Sequence, residues 1–490
     1  MSPKVVPPCQ AACPIHTDAR GYISAIEKGD AETAIRINRQ VNPLPAICGR
    51  ICPRPCEKVC RRGQVDKPIA IAMLKRFAAD QTKELKLLQK PEHLCDEKVA
   101  IIGGGPAGLA AAYDLALLGY RVTIFDALKK LGGMLVDGIP EFRLPEDVVQ
   151  EEVNVILSLG VEVKTGLYLG QDFTIEGLLK DFQAVLLAIG SQRSLFPQCK
   201  GIELTRIYAA VDFLKQIRRG QRPRLGKHIV IIGGGHTAID ASRTSLRLGS
   251  REVTIIYRRT LDEMPADHAE LEEAEEEGVK IRYLTAPIEF IGNETGDVKK
   301  VRCIEMQLGE LDESGRRSPV PMENSEFELN ADTIISAIGY IPEEETLKTT
   351  GISVREHSRV VVNESSATNI KNVFACGDVV SGPSSLIEAI ASGKKSAKAI
   401  HCYFRNLPEE SEQYHASGML NENLVKLIPK EKRQKMPTLP IEKRINSFEE
   451  VELGYNWEQA VKEAQRCLKC GTSELVKKLH SQYHSTQKNI

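Results

Sequence analysis

Apolar residues follow one spacing in the first part of this chain and another in the rest. Up to about residue 95 they recur at helical spacing. "ARGYISAIEKGD" (19–30) and "AETAIRINRQ" (31–40) place aliphatic residues three and four apart, with a Gly-Asp turn between them. Asp30 suits the N-cap of the second helix, and "NPLP" stops it. A cysteine-rich stretch follows, then "IAIAMLKRFAADQTKELKLLQK" (69–90), which predicts another helix. From Lys98 the pattern changes to short, continuous apolar runs. "KVAIIGGGPAGLAAAYDLALLGYRVTIFDA" reads as strand, tight turn, helix and strand, and "KHIVIIGGGHTAIDASRTSLRLGSREVTIIYRRT" (227–260) repeats that unit. "AVLLAIGS", "TIISAIGY" and "NVFACGDVV" add further short strands. After about residue 405 the chain turns charged and proline-punctuated. It closes with a predicted helix, "NWEQAVKEAQRCLKC", and a polar end expected to fray.

The fold expected is α/β, with two Rossmann-like dinucleotide-binding domains preceded by an α-helical iron–sulfur domain. Residues 1–95 form the helical domain, and 96–200 with 336–405 the two parts of a flavin domain. Residues 201–335 form a nicotinamide domain, and 406–490 an extension that folds back on the N-terminal domain.

Composition changes this picture little. A hydrophobic share of 42% and a charged share of 27% are ordinary for a globular protein, and the net charge of −1 carries no nucleic-acid footprint and no polybasic membrane patch. No run of about 18 apolar residues exists, and "MSPKVVPPCQAACP" lacks a signal-peptide core. The expectation is a cytoplasmic protein with no membrane and no nucleic-acid partner, in which clustered cysteines mean metal or catalysis more often than disulfides.

The two repeated units carry the chemistry. In the first, Gly103, Gly105 and Gly108 form a Gly-x-Gly-x-x-Gly turn after an apolar strand. One glycine permits the turn, one admits a pyrophosphate and one lets helix and strand pack. Pro106 and Ala107 complete the turn, and Asp126, roughly 20 residues on, suits a ribose hydroxyl pair. In the second unit Gly235, His236, Thr237 and Ala238 occupy the turn, and Arg258 and Arg259 stand where a carboxylate would select NAD. Guanidinium groups match a 2′-phosphate, which favours NADP(H); otherwise both are solvated surface charges. Gly377-Asp378 precedes a helix expected to begin near Ser384, placing an Asp and a helix N-terminus against a flavin.

Of thirteen cysteines, Cys95, Cys199, Cys303, Cys376 and Cys402 are scattered and read as structural thiols. Eight cluster: Cys9, Cys13, Cys48, Cys52, Cys56, Cys60, Cys467 and Cys470. Eight thiolates suit two 4Fe–4S clusters. A single cluster, zinc or disulfides are the other readings. Arg50, Arg54, Lys58, Arg61 and Arg62 surround the run, either to retain reduced clusters or as a solvated loop face.

In order, "GGGPAGL", "LGGML", "GIPEFRLP", "GGGHTAID", "YRR", "EMPA" and "ACGD" resemble the small subunit of NADPH-dependent glutamate synthase. They are also similar to the large subunit of NADH-dependent ferredoxin:NADP oxidoreductase and the N-terminal half of dihydropyrimidine dehydrogenase. The resemblance spans about residues 8–400 and 455–471. It implies FAD in the first unit, with Gly133 and Arg143 among its contacts, and NADPH in the second, with Gly339 at the nicotinamide pocket. His236 stands where the family usually has Asn. In the family a "CLxCG" segment precedes the first cysteine pair; here "EAQRCLKCG" lies at the far C-terminus. The expected ligands are therefore Cys9, Cys60, Cys467 and Cys470 for one cluster. Cys13, Cys52 and Cys56 serve the other, with Cys48 in place of a family Glu or Gln whose position holds Lys75.

The resemblance implies hydride transfer from NADPH to FAD, then single electrons through the clusters to a partner redox protein or catalytic subunit: a ferredoxin, an iron–sulfur subunit, or a glutamate synthase large subunit. A hetero-oligomer is expected. No side chain is assigned an acid–base role, because the cofactors carry the chemistry. A reading from another class is a flavin disulfide reductase using Cys467 and Cys470.

Overall fold

A computed structural model describes residues 4–82, 91, 95–312, 315–409, 413–418 and 422–471. The predicted helical stretch 69–90 forms a helix over Ile71–Asp80, and its part from 83 on lies outside the described residues, as does the polar end beyond 471. In the N-terminal domain the helices Ala19–Glu27, Ala31–Arg39, Pro45–Ile51 and Ile71–Asp80 pack together. Asp30 caps as expected, accepting from the Thr33 N–H at 2.8 Å.

The first unit is a five-stranded parallel sheet ordered Val373–Ala375, Ala184–Leu187, Lys98–Ile102, Arg121–Asp126, Glu162–Thr165. Helices cover both faces of such a sheet, which is why its strands read as continuous apolar runs. The chain leaves this sheet after Leu187, builds the second unit and returns at Val373. The helix Pro106–Leu117 is apolar on all sides and lies buried. It packs on Leu386–Arg405 so closely that a Cβ at Gly393 would come 2.0 Å from the Ala107 carbonyl. That second helix starts two residues later than expected: Ser385 caps it, in a reciprocal capping box with Glu388.

The second unit is also five-stranded and parallel, ordered Lys280–Arg282, Glu252–Ile256, His228–Ile232, Thr333–Ser336, Ile207–Ala209. Sequence reasoning missed the antiparallel sheet that interrupts it, built from Thr285–Gly292, Val298–Leu311, Arg317–Pro321 and Phe327–Asn330. Its longest strand, "VKKVRCIEMQLGEL", has a half-exposed, charged pattern that carries no strong apolar signal.

The C-terminal segment returns to the N-terminal domain. Trp457 meets Phe77 edge-on at 4.8 Å. Glu463, fully buried, accepts from the Ala70 N–H at 2.9 Å. Arg466, 1% exposed, pairs with Asp66 at 2.8 Å and with Glu463. Tyr414–Ala416 pairs in parallel with Lys4–Val6. Three of the basic residues of the cysteine run, Arg50, Arg61 and Arg62, take part in this fastening. Arg62 pairs with Asp66 and donates to the Pro429 and Arg466 carbonyls, Arg61 donates to Ser417, and Arg50 pairs with Asp80 and Glu450. Arg61 and Arg62 also line the cavity of Cys9, Cys60, Cys467 and Cys470, and Lys58 is exposed. Buried guanidinium groups need partners, and these take carboxylates and carbonyls of both the N-terminal domain and the C-terminal segment.

Candidate functional site: a two-dinucleotide cleft beside two cysteine groups

A single cleft of about 1540 Å³ runs between the two parallel sheets. Drug-sized pockets occupy roughly 300–1,000 Å³, so this one has room for more than one extended ligand. Gly103, Gly105, Asp126, Gly133, Gly377 and Asp378 line one side, and Gly235, His236, Thr237, Arg258 and Gly339 the other.

The glycines divide the work. Gly103 has φ +106°, and a Cβ there would lie 2.4 Å from the Ala188 carbonyl. Gly108 is pressed against the strand: its Cβ would come 1.9 Å from the Gly103 oxygen. Gly105 faces open space, its nearest neighbour for an added Cβ being Gly133 Cα at 4.0 Å. That gap at a helix N-terminus is where a dinucleotide pyrophosphate fits. The second turn repeats the arrangement. Gly233 has φ +138° and packs on Ala337, while an added Cβ at Gly235 meets nothing within 4 Å. Ala238, fully buried, takes the packing position. Pro106 and Ala107 line the cleft beside the first turn. Gly108→Ala is expected to abolish flavin retention, read as loss of visible flavin absorbance after desalting.

Asp126 is fixed by its own turn, accepting from the N–H groups of Gly104 at 2.6 Å and Leu128 at 2.7 Å. Asp378 accepts from the Ser384 hydroxyl at 2.8 Å; burial still pushes its carboxyl up to about 6.

Two of the predicted cofactor residues are placed differently from expectation. Arg259 donates to Asp312 at 2.5 Å and to the Arg317 carbonyl at 2.7 Å, and is 3% exposed. Arg258 is the exposed one of the pair, and Arg316, just before the strand Arg317–Pro321 of the missed antiparallel sheet, lines the cleft with it. Arg143 lines the cleft, but its guanidinium is engaged by Asp240 at 2.7 Å and by Glu270, both of the nicotinamide domain. His236 shares Glu270 through Nδ1 at 2.7 Å. Burial pushes the Glu270 carboxyl up, but Arg143 and the His236 bond pull it down to about 2. Its bond to Glu270 raises the His236 ring against burial. Phe142, beside Arg143, carries the Arg247 guanidinium 3.8 Å from its ring centroid. The "FRLP" turn thus clamps the flavin domain to the helix His236–Arg247.

The eight clustered cysteines fall into two groups, and all thirteen cysteines of the chain are unbridged. Cys9, Cys60, Cys467 and Cys470 line one cavity with Arg20, Ile23, Ile71 and Leu468. It shares no lining residue with the cleft. Arg20 holds the Cys470 carbonyl at 3.0 Å. Burial, then the neighbouring thiols Cys467, Cys60 and Cys470, push the Cys9 thiol up, and burial takes Cys467 up to about 12. Cys13, Cys48, Cys52 and Cys56 form the second group, around the Lys75 ammonium. Burial pushes Cys48 up to about 12, against the Lys75 charge. Four thiols in each set, buried or partly exposed, supply the number that a 4Fe–4S cubane takes as thiolates.

Comparison with known proteins gives the lineage. Residues 97–393 match the family model described as pyridine nucleotide-disulphide oxidoreductase. Residues 5–87 match the one described as dihydropyrimidine dehydrogenase domain II, 4Fe-4S cluster. The chain belongs to the pyridine nucleotide-disulphide oxidoreductase family. Within this family it is an FAD- and NADP(H)-dependent oxidoreductase carrying a 4Fe–4S domain.

It is 38% identical to the NADP(+)-dependent formate dehydrogenase subunit beta of Moorella thermoacetica, over 96% of this chain and 71% of that protein. The NADPH-Fe(3+) oxidoreductase subunit beta of Geobacter sulfurreducens is 36% identical, over 95% and 75%. The glutamate synthase [NADPH] small chain of Azospirillum brasilense is 35% identical, over 81% and 86%. The solved structure of FprA from Mycobacterium tuberculosis in complex with NADPH shares the fold, with a TM-score of 0.56 at 21% identity over 64% of this chain and 85% of that one. Among the described residues, no helix is long and apolar enough to cross a membrane.

Proposed function

We propose that this chain is the NADPH-oxidising, electron-input subunit of a multi-subunit redox enzyme, passing single electrons through two 4Fe–4S clusters to a partner redox protein or catalytic subunit. The carrying observation is the position of one cysteine loop: Ile51 and Pro53, on either side of Cys52, line the same cleft as both dinucleotide turns. A ligand of the Cys13/Cys48/Cys52/Cys56 cluster is thus adjacent to the flavin cleft, and the Cys9/Cys60/Cys467/Cys470 cluster lies in a cavity apart from it.

When bound, FAD supplies the switch from a hydride to single electrons. The protein's own residues do the rest. Gly105 and Gly235 admit two pyrophosphates. Asp126 offers its remaining lone pairs to a ribose. The Arg143–Glu270–His236 set and Phe142–Arg247 hold the two domains in register, and Arg258 meets a 2′-phosphate. Arg258→Ala is expected to raise the KM for NADPH about tenfold or more, since a charge-assisted hydrogen bond is worth about 1.5–3 kcal/mol, and to leave the KM for NADH unchanged. Steady-state kinetics with both nucleotides checks this.

The similarity to the two beta subunits runs over nearly the whole chain, whereas the glutamate synthase small chain matches 81% of it. This favours a ferredoxin or an iron–sulfur subunit of a larger redox enzyme as the partner over a glutamate synthase large subunit. A disulfide reductase is disfavoured because Cys467 and Cys470 line a cavity with Cys9 and Cys60, sharing no lining residue with the cleft. Mixing the anaerobic protein with NADPH tests the proposal. Bleaching of the broad cluster absorbance along with the flavin band is expected; flavin bleaching with unchanged clusters would contradict it.

A further inference from the structure

Lys75 has all four thiols of the second cysteine group as electrostatic neighbours, and the proposed function gives it no role. It sits on the Ile71–Asp80 helix and is 6% exposed. Among the described residues its ammonium has no ion pair and no hydrogen bond. Its electrostatic neighbours are Cys48, Cys13, Cys52 and Cys56. The carboxylates of the surrounding elements are taken. Glu57 accepts from the Ala72 N–H at 3.0 Å and pairs with Arg433 at 2.8 Å. Asp80 pairs with Arg50 and Arg76, and Glu152 with Arg39. The helix is held against the Cys48 helix by a backbone approach so close that a Cβ at Gly49 would lie 2.6 Å from Arg76 Cβ. Lys75, next to Arg76, and Cys48, next to Gly49, are therefore fixed across that crossing.

A buried, unpaired ammonium is costly to keep. It is tolerable where the opposing charge belongs to something that binds there. A cubane with four thiolate ligands is a net dianion that becomes a trianion on reduction, so a fixed cation beside it favours the reduced state; net charge and hydrogen bonds to sulfur are the levers that set such potentials. We propose that Lys75 is a positioning residue that tunes the Cys13/Cys48/Cys52/Cys56 cluster, its ammonium offsetting the charge that the cluster gains on reduction. This cluster borders the flavin cleft through Ile51 and Pro53. The inference rests on the reading that these four thiolates hold a 4Fe–4S cluster.

The test is a redox titration followed by electron paramagnetic resonance on the full, anaerobically purified holoprotein, with iron and sulfide counted in each sample. Lys75→Met keeps the stem and removes the charge; Lys75→Arg keeps the charge. In Lys75→Met one cluster is expected to shift to a more negative midpoint, by about tenfold in its reduced-to-oxidised ratio at fixed potential, or about 59 mV for one electron. The other cluster and the iron content should stay as in the wild type, and Lys75→Arg should remain near the wild-type midpoint. If Lys75→Met does not assemble the cluster, Lys75→Leu is read in its place. Unchanged midpoints in the neutral variants, or an equal shift in Lys75→Arg, would overturn the tuning role. A wild-type protein with only one cluster would instead overturn the reading on which it rests.

Discussion

Cys470→Ser is expected to cost the protein one whole cluster, about four of about eight irons per chain, while FAD content and NADPH-dependent reduction of ferricyanide persist. The reason is geometric. Cys470 closes a cavity whose other thiols come from residues 9, 60 and 467, so a single C-terminal substitution empties a site built mostly at the N-terminus. The substitution should spare the fastening of the C-terminal helix, which rests on Glu463 and Arg466. Iron and flavin counts on purified variant and parent check this. An unchanged iron content would remove the C-terminal segment from the ligand set. The same count on Cys48→Ser should show the other four irons lost.

The second large effect concerns stability. Glu277 is fully buried at its side chain and pairs with two guanidinium groups as buried as itself, Arg243 at 2.7 Å and Arg247 at 2.7 Å. Removing one member of such a set leaves uncompensated buried charge, which costs about 3–5 kcal/mol. Glu277→Ala is therefore expected to lower the unfolding temperature of the nicotinamide domain by roughly 10 °C. Arg247 also lies over Phe142 of the flavin domain, so the variant should loosen the junction between the cofactor domains and lower turnover as well. Calorimetry of variant and parent measures the first effect; an unshifted transition would show that these pairs do not hold the domain.

The parts of the fold that were legible in the sequence share a physical cause. The strands "KVAII" and "HIVII" are buried on both faces and so are continuous in apolar residues, and the turns between strand and helix leave no alternative to glycine at Gly103 and Gly233. Cys467 and Cys470 could be grouped with Cys9 and Cys60 because the resemblance supplied a segment that this chain carries at its other end. The placement of side chains that meet across domains was not legible. Arg143 and Arg259 look like cofactor arginines in sequence, and their pairing with Asp240, Glu270 and Asp312 exists only once separate elements pack. Arg316 sits just before a strand of an antiparallel sheet whose charged pattern gave no warning. The reach of Arg61 to Ser417, and of Arg62 to the Pro429 and Arg466 carbonyls, spans more than 350 residues and could not be read locally.

The most direct measurement is iron, sulfide and flavin per chain on anaerobically purified protein, with visible and paramagnetic resonance spectra before and after NADPH. Two clusters, about eight irons and one FAD, with NADPH bleaching the cluster absorbance and giving reduced-cluster resonances, is the predicted result. One FAD with no iron, or clusters that NADPH leaves oxidised, would contradict the account.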